Sequence, residues 1–63
     1  MTIAEKLIKA RGGRSREEVA TAIGVTISAI SMYENGARVP RDEIKIRIAD
    51  YYNTTVQELF FNP

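Results

Sequence analysis

The stretch REEVATAIGVTISAISMYEN, Arg16–Asn35, decides how this chain folds. It reads as two short helices joined by a tight turn at Gly24. Val19 and Ile23 stand four apart and therefore share one helix face. Ala20 is small, which lets a second helix cross closely. Gly24 follows the last apolar residue of the first helix, where a left-handed C-terminal cap is usual and a Cβ is unwelcome. Val25 is apolar within the turn and plugs the gap between the helices. Thr26 offers an N-cap for the second helix. Ile30 and Tyr33 then return an apolar face at i, i+3 spacing.

Small residue, turn glycine, plug and returning face together make the helix-turn-helix pattern, whose usual work is holding one helix in the DNA major groove. The continuation ENGARVP extends it. With these residues the sequence resembles the λ-repressor-like family of the Cro/CI, or XRE, type. The matching residues are Ser15, Gly24-Val25, Ile30-Ser31, Glu34-Asn35-Gly36, Arg38 and Pro40. The likeness runs on through Ile48-Ala49 to Glu58-Leu59-Phe60 and covers nearly the whole chain. It implies an all-α, compact five-helix DNA-binding domain spanning 1–63, with the helix-turn-helix at about 16–35.

Sixty-three residues make one small domain with a marginal core. Chains of this size usually need staples or a partner. The chain has no cysteine, which excludes disulfides and thiolate metal sites. It has no histidine, which removes the commonest general base, metal ligand and near-neutral pH switch. No phosphate-binding loop is present, and the chain is too short for a buried pocket. An enzyme is therefore not expected, nor is a cofactor, a metal or a small-molecule ligand. No run of eighteen apolar residues exists and no signal-peptide core opens the sequence, so a cytoplasmic protein with no membrane partner is expected.

A net charge of +1 says little about partners, but its distribution says more. Lys9, Arg11, Arg14 and Arg16 form a basic run with no acid among them, and Arg38 and Arg41 form a second. Beyond Ile48 the only charged side chains are Asp50 and Glu58. A basic patch on a balanced domain is the footprint of phosphate binding; the alternative is a solvated charged surface.

In chain order, five helices and no strands are expected. Thr2 with Glu5, Ser15 with Glu18 and Thr55 with Glu58 each read as a capping box, for the first, second and fifth helices. Ile3, Leu7 and Ile8 give the first helix its apolar face, and Gly12-Gly13 ends it. Thr26 caps the third helix, but Ala29 stands where a box would place its acid. That N-terminus keeps its dipole and suits an approach to phosphates. Asn35-Gly36 signals a turn, and Pro40 suits entry into the fourth helix. Ile44-Lys45-Ile46-Arg47-Ile48 alternates like a strand. A helix is the better reading, because Ile44 and Ile48 stand four apart, Ala49 and Tyr52 extend that face, and a lone strand has no partner. The expected core is Ile3, Leu7, Val19, Ala20, Ile23, Val25, Ile30, Tyr33, Val39, Ile44, Ile48, Ala49, Tyr52, Val56, Leu59 and Phe60.

The first residues of the second helix of such a motif face base edges. Here Ile27, Ser28, Ser31 and Met32 lie off the Ile30/Tyr33 face, and the resemblance gives those positions the sequence readout. Ile27 and Met32 suit thymine methyl groups, and Ser28 and Ser31 suit a base or a phosphate. The side chains that make bidentate base contacts are missing, which predicts modest specificity assisted by DNA shape. Backbone contacts are expected from Arg16, Thr26, Asn35, Arg38 and Arg41. Arg16 stands where the family usually has a phosphate-touching Gln. Asn35 either donates to a phosphate or satisfies its own turn. Arg38 lies along the backbone or enters the minor groove. Arg14 stands where the family more often has an apolar residue and reads as surface.

The resemblance also implies a transcriptional regulator, most simply a repressor, bound as a homodimer to a near-palindromic operator of double-stranded DNA. Tyr51 and Phe61 remain outside the expected core, and aromatic residues are enriched at interfaces. They are the candidate contacts of a weak dimer through the fifth helix and tail; alternatively the tail folds onto its own core. A reading from a different class is a protein-interaction module of antitoxin or adaptor type on the same fold. It predicts that Ile27, Met32 or Phe61 anchors a partner protein.

Overall fold

The computed structural model describes residues 1–61. The helices are α1 (Ile3–Arg11), α2 (Arg16–Ile23), α3 (Ile27–Glu34) and α4 (Asp42–Tyr51), followed by a short π-helical segment, α5 (Gln57–Phe61). No strand occurs among the described residues. The alternating Ile-Lys-Ile-Arg-Ile stretch is helical, because Ile44, Ile48 and Ala49 form one buried face that a strand could not present. The fifth helix is the one that departs from α geometry, with wider π-helical turns around the buried Leu59 and Phe60.

Every helix start but that of α4 carries a local side-chain cap. Thr2 and Glu5 form the full reciprocal box: the Glu5 amide donates to Thr2 Oγ1 at 3.1 Å, and the Thr2 amide donates to Glu5 Oε1 at 2.8 Å. Those bonds to Thr2 hold the Glu5 pKa below its ordinary value. Ser15 and Thr55 make only the forward half, accepting from the Glu18 and Glu58 amides. Their acids make no return bond to the cap among the described residues, so two of the three expected boxes are simple N-caps. Pro40 does not open α4. Arg41 is its N-cap, with no side-chain cap bond, and Pro40 lies one residue further out, buried.

At the turn between α2 and α3, Gly24 adopts φ 87° and ψ 36°, the left-handed conformation expected of it. The Gly24 and Val25 amides both donate to the Ala20 carbonyl, at 2.8 and 3.0 Å. Thr26 Oγ1 then accepts from the Ala29 amide at 3.0 Å and starts α3. The reversal is therefore set by consecutive residues, with no tertiary support needed for its direction.

The core is one cluster of Leu7, Val19, Ala20, Ile23, Ile30, Tyr33, Ile44, Ile48, Ala49, Leu59 and Phe60. Ile3, Val25, Tyr52 and Val56 border it, partly buried. α3 packs against both α1 and α2, α4 against α2, and α5 against α1. Lys6 Nζ donates to the Glu58 carbonyl at 2.8 Å and ties α1 to α5. Two apolar expectations fail. Val39 is 59 % exposed, because the extended segment ahead of α4 turns its neighbour Pro40 inward instead. Ile8 is exposed, since Leu7 alone takes the inward side of α1 at that level.

Candidate nucleic-acid interface

α3 has two unlike faces. Ile30 and Tyr33 are buried, and so is Glu34 at its last turn. On the opposite side Ile27 is 47 % exposed and Met32 38 % exposed, Ser28 is exposed and Ser31 is half-buried. The four residues expected to read bases thus lie on the outward side of one eight-residue helix. A helix of eight residues is about 12 Å long, and the major groove of B-DNA admits an α-helix. Thr26, at the head of α3, is exposed; its Oγ1 accepts the Ala29 amide in the cap and keeps its own hydroxyl proton to donate.

Glu34 is the acid that sequence reading left as part of a motif. Its side chain is 2 % exposed and takes Arg11 Nε at 2.8 Å and Arg16 Nε at 3.0 Å. The hydrogen bond to Glu34 raises the Arg11 pKa. Two guanidiniums around one carboxylate leave the cluster positive. Because Glu34 is the only acid in α3, its burial leaves the outer face of that helix without an exposed carboxylate. A signal for this existed: Glu34 stands four residues after the core residue Ile30 and so shares its buried face.

The first basic run does not act as one patch. Arg11 is held by Glu34 and donates through Nη1 to the Arg14 carbonyl at 2.9 Å. Arg14 is a structural residue rather than surface: it donates to the Ala10 and Arg11 carbonyls and lies 5.1 Å from the ring centres of both Tyr51 and Tyr52. It caps the C-terminal end of α1, where cations favour the helix dipole. Arg16 keeps a 46 % exposed side chain at the start of α2 while bound to Glu34. Beneath Arg14, burial raises the Tyr52 pKa to about 12, with the nearby Glu34 charge adding to the shift.

Asn35 satisfies its own turn, the second of its two expected roles. Its Oδ1 accepts from the Ala37 amide at 2.9 Å, which closes the turn, while its amide nitrogen keeps two donors. Arg38 and Arg41 are exposed, and their side chains have no ion-pair or hydrogen-bond partner among the described residues. Both line one cleft with Gly24, Val25, Tyr33 and Arg47. Arg47 escaped sequence reading because it sits inside the ambiguous alternating stretch. A helical reading of that stretch places it off the Ile44/Ile48 face, four residues after Glu43, which pairs with it at 2.9 Å.

Tyr51 and Phe61 are set beside different neighbours. Tyr51 is half-buried, 5.3 Å from the Tyr52 ring centre and under Arg14. Phe61 is exposed and lines a shallow apolar groove with Ile46, Val56 and Lys45. Lys45, in a position the family usually gives to an apolar residue, lays its stem over the tail. Its Nζ lies 5.6 and 5.0 Å from the Phe60 and Phe61 ring centres, and its side chain is mostly buried.

Among the described residues no helix is long and apolar enough to cross a membrane, and no His, Cys, Asp or Glu cluster is arranged to hold a metal. A family model described as helix-turn-helix matches residues 3–59. No match is found among curated proteins or among solved structures.

Proposed function

Because this chain belongs to the helix-turn-helix family of the Cro/CI, or XRE, type, a family of DNA-binding transcription regulators, we propose that it is a sequence-specific repressor acting on double-stranded DNA. α3 enters the major groove with Ile27, Ser28, Ser31 and Met32 against base edges. Arg16, Thr26, Asn35, Arg38 and Arg41 hold the sugar-phosphate backbone. Residues 1–63 act as one domain, without a cofactor, in the cytoplasm. Two copies bind a near-palindromic operator with half-sites about one helical turn apart.

The observation that supports this reading best is the burial of Glu34 between Arg11 and Arg16. It keeps negative charge off α3 and leaves exposed arginines on either side of it. Direct readout is modest, since no Arg, Lys, Asn or Gln stands on the outer face of α3.

Selection of bound sequences from a random duplex pool, at two salt concentrations, tests the proposal. An inverted repeat with half-sites one turn apart is the expected result. Salt-sensitive capture without a motif would rule out the sequence-specific part. The exposed apolar pair Ile27 and Met32 supports a second reading, a protein-interaction module of antitoxin or adaptor type. That reading requires a chain that binds no duplex even at low salt.

A further inference from the structure

The cleft beside the turn that leads into α3 is cationic and draws its walls from that turn, the last turn of α3, the following loop and α4. Gly24 and Val25 of the turn stand on one side, with Arg38, Arg41 and Arg47 from the following loop and α4 around them. The Arg38 and Arg41 side chains have no partner among the described residues. Arg47 is half exposed, and its two recorded bonds are to Glu43 at 2.9 Å and to the Ile23 carbonyl at a long 3.5 Å. A guanidinium carries five N–H donors, so most of them stay available. It also lies against the carbonyl end of α2, where a cation is favoured. A Cβ on Gly24 would lie 3.6 Å from Arg47 Nη1, so the guanidinium reaches the turn itself.

A helix about 10 Å across in a groove about 12 Å wide brings its flanks to the phosphates of both walls. Arg16 reaches α3 through Glu34 at the C-terminal end of that helix. The cleft runs along the same helix from the turn that precedes it, at Gly24 and Val25, to Tyr33 in its last turn. Both cationic groups therefore lie against α3. We propose that the Arg38–Arg41–Arg47 cleft seats a phosphodiester of the DNA backbone, and that Arg47 is a DNA contact held in place by Glu43. This inference rests on the DNA-binding reading above. It adds to it an α4 residue that neither composition nor motif marks, and a carboxylate that limits affinity while it orients its partner.

The test compares the parent with Arg47→Gln and Glu43→Gln, on a selected duplex and on a scrambled duplex of equal length, across a salt series, with thermal melts in parallel. Arg47→Gln is expected to weaken both duplexes by a similar factor and to lower the salt slope by about one. Glu43→Gln removes a negative charge from the cleft and is expected to tighten both duplexes. It breaks only an exposed i, i+4 pair, so it reports on the cleft even if Arg47→Gln fails to fold. A purely structural ion pair would instead give equal affinity, or weaker binding, in Glu43→Gln. Parent-like affinity and slope in a folded Arg47→Gln, or no tightening in Glu43→Gln, overturns the proposal. A parent that binds neither duplex overturns the DNA-binding reading as well, which separates the two failures.

Discussion

Arg16 Nε, on the first residue of α2, donates to Glu34 Oε1, on the last residue of α3, at 3.0 Å. The second carboxylate oxygen takes Arg11 Nε from the end of α1 at 2.8 Å, so one buried acid joins three helix ends. The pair sits unequally in solvent, with Arg11 19 % and Arg16 46 % exposed. Removing the shared carboxylate leaves the better buried cation unmatched. Glu34→Gln is therefore expected to lower stability by roughly 3 kcal/mol. Arg16→Ala is expected to cost less, about 1 kcal/mol, because Arg16 is half exposed and Glu34 keeps its bond to Arg11. Urea denaturation of both variants beside the parent checks the ranking. Equal midpoints for Glu34→Gln and the parent would show that the carboxylate does not hold these helix ends together.

Local chemistry made most of the fold legible. The caps at Thr2, Ser15 and Thr26 and the left-handed Gly24 act within four residues, so sequence spacing carries them. The inward and outward sides of α3 followed from the spacing of Ile30 and Tyr33 alone. What sequence did not reveal depends on distant partners. Arg14, Glu34 and Lys45 are charged residues whose neighbours come from other helices, and charge by itself reads as surface. Val39 and Pro40 exchanged places because a loop's inward side is set by the path of the chain, not by a helical period. The π-helical character of α5 has no counterpart in residue spacing.

Tyr52 gives the fold an alkaline limit. Its phenol has a folded-state pKa of about 12 against an ordinary 10, with burial as the leading cause. The folded state thus holds its proton more tightly than the unfolded one. That contribution is fully present below pH 10 and is lost as pH rises through about 12. Tyr52→Phe removes the titration while keeping the ring under Arg14. Melting temperatures taken across this window should fall more steeply for the parent than for Tyr52→Phe. Parallel curves would place the phenol in a water-like environment and contradict its burial.

Arg38 and Met32 divide the proposed interface into positioning and readout. The Arg38 side chain is exposed and without a partner among the described residues, and it follows α3 in the loop, so in the proposed complex its charge meets phosphate whatever the sequence. Arg38→Ala is expected to weaken binding to all duplexes alike and to reduce the salt slope by about one. Met32 lies on the outward face of α3 and carries no charge. Met32→Ala, like Ser28→Ala, is expected to change the preferred base at one position and leave the slope unaltered. Competition binding against a panel of single-base operator variants separates the two behaviours. Identical profiles for all three variants and the parent would reject this surface.

Phe61 is the better placed of the two proposed dimer contacts. Tyr51 is already covered by Arg14 and Tyr52, so little of its ring remains to bury. Phe61 is exposed beside Ile46, and the groove they share with Val56 is largely apolar. Two copies facing through this groove would hide both aromatic rings, and one hidden Phe is worth about 1.5–3 kcal/mol. That is small against the cost of association, so the dimer is expected to be weak and concentration-dependent. Sedimentation of Phe61→Ser beside the parent should show the variant monomeric at concentrations where the parent associates. Tyr51→Ser should associate as the parent does, because its ring faces the fold. A mass that is the same for parent and Phe61→Ser at every concentration would remove α5 from the interface. A half-site reader would then have to pair on the DNA through other residues.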